Sequence, residues 1–561
     1  MRNMRIYNKW NIAQDRPYSS LFEAILVVRR LSREELDVGP EVLHDPRLLK
    51  DMDLAVERIS RAIQNSERIM VFGDYDVDGV SSTALMSNFL KDVRADFLCG
   101  LPDRQKDGYG LKPSAVERAL GLGVDLIITV DNGISAFEGI ECARNNGIDV
   151  VVTDHHKQLG VLPEAVALIN PNRLDCLYPF KGLAGVGVTF KLVQVLSENF
   201  MSSDKRKVYL NSLLDLVALG TIADVVPVFG ENRVLIRRGL QIMNNTRRLG
   251  LRQLKIVAGI SQKEITSTVV GYQLSPRINV AGRMDKPDTA LDLLCAETEE
   301  DALRLAQNLN EQNLRRQDLQ REAIEEADEQ VTAKILGENR ILILFGDWKV
   351  GLIGIIAGRL RDKYLRPVIV CTSDCEEDYY VGSARSFAWY DISEAIANFK
   401  ENLNSYGGHT QAAGFSLRRE HFPTFRRELV NHAQEKISLD QLEAELNVDV
   451  ELTPDDLCRK SIQVLAELEP FGKGNEMPVF AMFRCKVLSI KLIGKNRDHC
   501  KLEIEIEGKR CAALCWNRGE ICKEIEIGNR ISIAFTLEED SFRGKEAVQM
   551  VVKDLFIESE E

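Results

Sequence analysis

Residues 69–86 read IMVFGDYDVDGVSSTALM: an apolar run with strand character, Ile69–Phe72, is followed almost at once by Asp74, Asp76 and Asp78. Three carboxylates within five residues repel one another and would be driven toward protonation unless a cation compensates them. Two later stretches repeat the design. DLIITV (125–130) runs into Asp131 of TVDNGIS, and IDVVVT (148–153) runs into Asp154, His155 and His156. Each short β-branched run is followed by a polar turn and a helical pattern, which implies a parallel sheet with crossover helices and ligands at the carboxyl ends of its strands. The three clusters are therefore expected along one sheet edge. A fourth acid, Asp224, ends the apolar stretch LLDLVALGTIADVVP, and periodicity does not place it.

Two competing readings of DYDVDG fail. An EF-hand loop needs an acidic ligand at its twelfth position, where this chain has Leu85, and neither a dinucleotide fingerprint nor a P-loop follows the strand. The nearest glycine motif, GLAGVG at 182–187, has its glycines in the wrong order and reads as a packing or turn feature. Carboxylate oxygens with imidazole nitrogen suit Mn²⁺ or Mg²⁺. Two such ions about 3.5–4 Å apart would offset the negative charge and activate a water for attack on phosphorus.

With 561 residues, 45% of them hydrophobic and 28% charged, the chain reads as a globular protein of several domains. It has no long uncharged apolar stretch and no apolar core behind the basic N-terminus, so a cytoplasmic location is expected. Twelve scattered cysteines read as reduced, mostly buried thiols. The net charge of −13 argues only weakly against a polyanionic substrate, because a metal site and a local basic groove can dominate the field near it.

The expected organisation is α/β. An N-terminal segment (1–50) precedes a parallel-sheet catalytic domain (51–287). A charged pattern over 288–336 reads as a long connecting helix. RILILFGD and RPVIVCT belong to a second, smaller α/β domain (337–445), and short alternating strands such as CKLEIEIEG suggest a β-barrel over 446–561, an oligonucleotide-binding (OB) barrel being one option.

GDYDVDG, TVDNGIS, the DHH at 154–156 and Asp224 resemble the four motifs of the DHH phosphoesterases. GGHTQAAG at 407–414 looks like the glycine-histidine motif of their associated DHHA1 domain. NPNRLDCLYPFKGLAGVGVTFKL (170–192), LSPRINVAGRMD (274–285) and LEPFGKGNEMPVF (468–480) closely resemble the RecJ branch of that family. The resemblance implies a metal-dependent exonuclease that degrades single-stranded DNA from its 5′ end in recombination and repair. It also implies a monomer working beside a helicase and a single-strand-binding protein. By motif position, Asp76, Asp78, Asp131, His155 and Asp224 would hold two metal ions, with Asp74 bordering them. Asp154 would orient the histidines, and His156 would sit against the scissile phosphate. The 5′ phosphate would be met by Arg104, by Arg277 or Arg283, and by Ser383 with Arg385, because an arginine fork grips phosphate bidentately.

Further residues carry two readings each. Tyr109 could stack on bases. Gly407 and Gly408 beside His409 permit close backbone approach to a phosphate, or the three form a plain turn. Arg277 and Arg283 either contact substrate or brace the fold, and Trp516 is either a stacking platform or core. Phe72 stands where several DHH relatives carry a further histidine, so the first metal is expected to have fewer ligands here. Two other functions compete: a DHH-type phosphodiesterase for short oligonucleotides or cyclic dinucleotides, which would have no use for the barrel, and a non-enzymatic replication scaffold, which would have lost metal-ligand positions.

Overall fold

A computed structural model of the chain describes residues 7, 9–14, 18–102, 110–158, 160–284, 288–373, 378–494, 497–540 and 548–558. It divides into two compact units, one formed by residues 31–314 with 468–477, the other by 1–30, 315–467 and 478–561. After an N-terminal strand β1 (Lys9–Gln14), the first unit builds a five-stranded sheet from β2 (Ile69–Phe72), β3 (Phe97–Gly100), β4 (Leu126–Val130), β5 (Asp149–Thr153) and β6 (Ala167–Ile169). All pairings are parallel, in the order β3-β2-β4-β5-β6. Every residue of β2 and β4 is buried, which is why these runs are continuously apolar rather than alternating. Phe72 pairs with Thr129 and Val130 with Thr153, so the turns after β2, β4 and β5 emerge side by side. Helices α1 (Val77–Asp92), α2 (Gly185–Phe200) and α3 (Leu214–Ala223) cover one face in a single apolar cluster.

The charged stretch after residue 287 is three helices rather than one. The central helix, α4 (Glu299–Glu329), runs 31 residues, and shorter helices at Asp288–Cys295 and Ala333–Glu338 flank it. Threonine caps make the breaks: Thr298 Oγ1 accepts from the Asp301 N–H (3.1 Å), and Thr332 accepts from the Ile335 N–H (3.3 Å). Helical periodicity continues across these residues, whereas their side chains satisfy a new helix start. The boundary between the units falls inside α4, after Leu314.

The second unit holds a mixed sheet of β7 (Leu342–Phe345), β8 (Val368–Ser373), β9 (Tyr379–Arg385), β10 (Leu403–His409) and β11 (Ala412–Arg418), ordered β10-β11-β9-β8-β7, with helix α5 (Val350–Tyr364) between β7 and β8. Strand β12 (Glu445–Glu451) pairs with β1 on one side and leads into β13 (Phe480–Ile493) on the other. With β14 (His499–Ile506), β15 (Lys509–Cys515), β16 (Arg530–Glu539) and β17 (Val548–Ile557), β13 closes a five-stranded barrel through its pairing with β16. Trp10 of β1 donates its indole N–H to Asp554 (2.8 Å), tying the N-terminal strand to the barrel.

Nine described cysteines are free, five of them buried, whereas Cys500 is disulfide-bonded and departs from the all-thiol expectation. Among the described residues no helix is long and apolar enough to cross a membrane.

Candidate metal centre

Asp76 caps α1: its Oδ1 accepts the Gly79 N–H at 3.0 Å. The chain folds back so tightly that a Cβ on Gly79 would lie 2.5 Å from the Asp74 nitrogen, so the glycine of DYDVDG is a steric requirement. Asp78, one residue into the helix, is buried. Its carboxylate accepts the N–H groups of Gly185 (2.7 Å) and Val186 (2.9 Å), the first residues of α2, so a helix N-terminus is aimed at the acid cluster. Close approach again needs glycine. A Cβ on Gly185 would come within 2.3 Å of Asp131 Oδ1, and one on Gly220 within 2.7 Å of Asp78 Oδ1.

Asp131 sits in the left-handed region (φ 63°) as the chain leaves β4, a conformation Asp tolerates better than most residues. Next to it, Asn132 Nδ2 donates to the carbonyls of Phe72 (3.2 Å) and Val130 (3.0 Å), joining the ends of β2 and β4. His155 Nε2 lies 3.1 Å from Asp131 Oδ1, 3.7 Å from Asp224 Oδ2 and 3.9 Å from Asp78 Oδ2. Asp224 reaches the cluster as the C-terminal cap of α3, the placement that periodicity left open.

Asp154 is the organiser of the DHH turn. Its Oδ1 accepts the N–H groups of His155 (2.7 Å) and His156 (3.0 Å) and pairs with His156 Nδ1 (2.8 Å), while Oδ2 accepts the Ile134 N–H (2.8 Å). The same turn is held from behind by NPN at 170–172: Asn170 donates to the His156 carbonyl (2.9 Å) and Asn172 to that of His155 (2.5 Å).

Ligand atoms of Asp74, Asp76 and Asp131 all lie within 4.8 Å of one another, as do those of Asp78, His155 and Asp224, and of Asp131, His155 and His156. Asp74 thus falls within the first of these groups. Burial, then the charge of Asp224, pushes Asp78 up to about 7. Burial and Asp76 push Asp224 up to about 7, against the opposing charges of His156 and Lys473. Burial and Asp78 raise Asp131 well above the carboxylate range. Burial lowers His155, which favours the neutral imidazole a metal requires. A set of carboxylates held partly protonated by burial and then by their mutual repulsion, with one neutral imidazole, fits a hard divalent cation whose charge would ionise them.

Other expected site residues fall elsewhere. Arg277, in the first unit, donates from Nε to Asn310 Oδ1 (2.9 Å) and from Nη1 to the Gln273 carbonyl (2.5 Å), the contacts of a brace. Arg104 and Tyr109 lie outside the described residues, as does the side chain of Arg283. In the second unit, β9, β11 and β10 align Arg385 with Ala412 and Ala412 with His409. Ser383 aligns with Gly414, and Gly414 with Gly407. Ser383, Arg385, His409 and Gly407 therefore share one face. Arg385 Nη1 is 3.2 Å from Ser383 Oγ, and both side chains reach α5, where a Cβ on Gly354 would lie 3.0 Å from each. Gly408 has a φ of 154°, and its Cβ would strike the Ala412 carbonyl at 2.4 Å. His409 is exposed. Trp516, directly after β15, is 48% exposed, with its ring edge-on to His499 at 4.9 Å.

One contributor had no local signal. Lys473, in the segment 468–477, acts electrostatically on Asp224, and its carbonyl accepts the Val228 N–H at 3.1 Å. LEPFGKGNEMPVF was legible as a motif, but nearly 250 residues separate Lys473 from the acid whose charge it offsets.

Three family models match the chain: the DHH family, N-terminal domain, over residues 68–221, the DHHA1 domain over 338–436 and the RecJ OB domain over 448–554. Single-stranded-DNA-specific exonuclease RecJ of Bacillus subtilis is 36% identical over 91% of this chain, which spans 64% of that protein's length. RecJ of Dickeya dadantii is 35% identical over 93% of both chains. The crystal structure of RecJ from Thermus thermophilus in complex with Mn²⁺ matches with a TM-score of 0.80 at 27% identity, covering 99% of this chain and 80% of that one. Its Mg²⁺ complex matches at 0.74 and 26%, covering 99% and 79%.

Proposed function

Since the chain belongs to the RecJ family of single-stranded-DNA-specific exonucleases, we propose that it hydrolyses single-stranded DNA from the 5′ end with two Mn²⁺ or Mg²⁺ ions. The observation that carries this reading is the pair of ligand groups at one sheet edge, Asp74–Asp76–Asp131 and Asp78–His155–Asp224. When bound, the ions supply neutralisation of the phosphate's charge and activation of the attacking water. The protein's own groups do the positioning. The N–H groups of Gly185 and Val186 hold the Asp78 carboxylate, and Asp154 fixes the His156 ring through Nδ1. Nε2 is then the nitrogen that can meet a scissile phosphate oxygen. The NPN clamp keeps both histidine carbonyls from drifting.

Direction of travel follows from end recognition, which we assign to Ser383, Arg385 and His409 on their shared strand face. A terminal phosphate carries more charge than an internal one, and an arginine fork discriminates on that basis. Work in recombination and repair, in the cytoplasm and alongside a helicase and a single-strand-binding protein, accords with this activity. Parallel digestion of one strand labelled at its 5′ or its 3′ end, in Mn²⁺ and in Mg²⁺, tests the reading. Mononucleotide label should appear first from the 5′-labelled strand. Early release from the 3′ end, or activity in EDTA equal to that in Mn²⁺, would overturn it.

A further inference from the structure

Immediately after Arg385 the chain reads SFAWYD, and the rings of Phe387 and Trp389 stack 5.2 Å apart at an interplanar angle of 8°. The Arg361 guanidinium of α5 lies over the Phe387 ring at 5.3 Å and is itself held, Nη1 donating to the Ser386 carbonyl (3.2 Å) and Nε to Asp362 (2.9 Å). The Phe387 ring thus contacts both the Arg361 guanidinium and the Trp389 ring, and Trp389 remains 36% exposed.

The loop bearing these rings is rigid by construction. The Tyr390 N–H closes a turn onto the Phe387 carbonyl (3.1 Å), and Ser386 Oγ–H donates to the Tyr390 carbonyl (2.7 Å). Two more bonds fasten it to the turn that follows His409: Ser386 N–H to the Gln411 carbonyl (2.8 Å) and Ile392 N–H to the Thr410 carbonyl (3.1 Å). Tyr390 anchors the far side, its ring buried and its hydroxyl 3.0 Å from His432 Nδ1. A half-exposed tryptophan held in one orientation loses little entropy on binding a flat partner. The loop also adjoins the strand face carrying Ser383, Arg385 and His409, where a strand's terminal phosphate would be held.

We propose that Trp389, backed by Phe387 and Arg361, is a nucleobase-stacking subsite for the first nucleotides of a single strand whose 5′ phosphate is held by Ser383 and Arg385. The inference rests on the function proposed above and adds to it a contact with the bases. Stacking tolerates every base, since each presents a π-face, so the subsite is sequence-neutral but demands unpaired, unstacked bases. Single-strand preference thereby gains a direct physical source next to the end-recognition face.

The test uses the full-length protein with Mn²⁺ and two 5′-phosphorylated strands, one natural and one abasic at its first four nucleotides. The wild-type protein should show a KM roughly 5- to 150-fold higher on the abasic strand. Trp389→Ala should raise KM on the natural strand by a similar factor, leave kcat within about twofold, and erase the difference between strands. Trp389→Phe, which keeps a π-face and guards against a folding artefact, should retain most of the discrimination. Trp389→Ala acting on the natural strand like wild type, or still discriminating against the abasic one, would overturn the subsite. A loss in Trp389→Phe as large as in Trp389→Ala would overturn it too. Wild-type protein that degrades neither strand would refute the nuclease reading itself, a different failure.

Discussion

At the scale of single residues, Asp154 lies in none of the ligand groups, yet the DHH turn is built around it. Replacing it with Asn substitutes an N–H donor for an oxygen that now accepts, and costs His156 the charged partner at Nδ1. Positioning partners of this kind typically contribute 10- to 100-fold. Asp154→Asn should therefore weaken Mn²⁺ binding, measured by calorimetry, by about 10- to 100-fold, and an unchanged affinity would refute the positioning role. The acids themselves make a pH prediction. Asp78 and Asp224 are pushed up to about 7 when folded, against about 3.9 for an unperturbed aspartate, so the folded apo-protein binds more protons than the unfolded chain between those values. Its stability should fall as pH rises from about 4 to 7. Mn²⁺ would bind the ionised carboxylates and must compete with protons below about pH 7, so the gain in melting temperature on adding Mn²⁺ should be larger at pH 8 than at pH 6. Equal gains at both pH values would show that these carboxyls are already ionised without metal.

At the scale of elements, the site depends on a helix start that offers amides and no side chain. Gly185 opens α2 with its α-carbon against Asp131, where a methyl group would sit 2.3 Å from Oδ1, whereas a Cβ on Gly187 would meet the Leu183 side chain, nearest at Cδ2 (3.3 Å). Gly185→Ala should cut activity by more than about 100-fold in Mn²⁺, since either Asp131 or the helix must move and two ligand sets share that acid. Gly187→Ala should stay within a few-fold, because a leucine methyl can shift. Similar loss in both variants would show that α2 tolerates no added volume at all. The contrast marks what the sequence reveals. Strand-then-acid runs are local signals, and parallel pairing in register turns three of them into one edge, so Asp74, Asp76, Asp78, Asp131, Asp154, His155 and His156 were legible as a cluster. GLAGVG read only as packing, because the partner that makes its glycine necessary lies more than fifty residues away. The same holds for the breaks around α4, where periodicity spoke for one helix and the capping threonines at 298 and 332 spoke locally for three.

At the scale of the whole molecule, the least legible feature is the path of residues 468–477, which leave the barrel-forming region to join the catalytic unit. Arg233, fully buried, donates Nη2 to the carbonyls of Leu468 (3.2 Å) and Glu469 (2.8 Å) and Nε to that of Leu36 (2.7 Å). Ser267 Oγ–H donates to the Phe471 carbonyl (2.6 Å), and Asn475 closes the loop on Leu468 (2.8 Å) and Pro470 (2.9 Å). This segment therefore completes the catalytic unit and brings Lys473 to Asp224. Two shortened chains separate that role from the DNA binding we propose for the barrel. A chain ending at Ala444 removes two acceptors from a buried guanidinium, at about 1–3 kcal/mol per unsatisfied group or more for a charged one, so its catalytic unit should melt roughly 5 °C or more lower. Its activity should be lost even on short strands. A chain ending at Met477 keeps the segment and should still cut short strands, while binding long ones more weakly and with a shallower dependence on salt, as basic contacts to the backbone are removed. If the chain ending at Ala444 matched the longer one in melting temperature and short-strand cleavage, residues 468–477 would be a passive strap, and the charge on Lys473 would play no part at the metal centre.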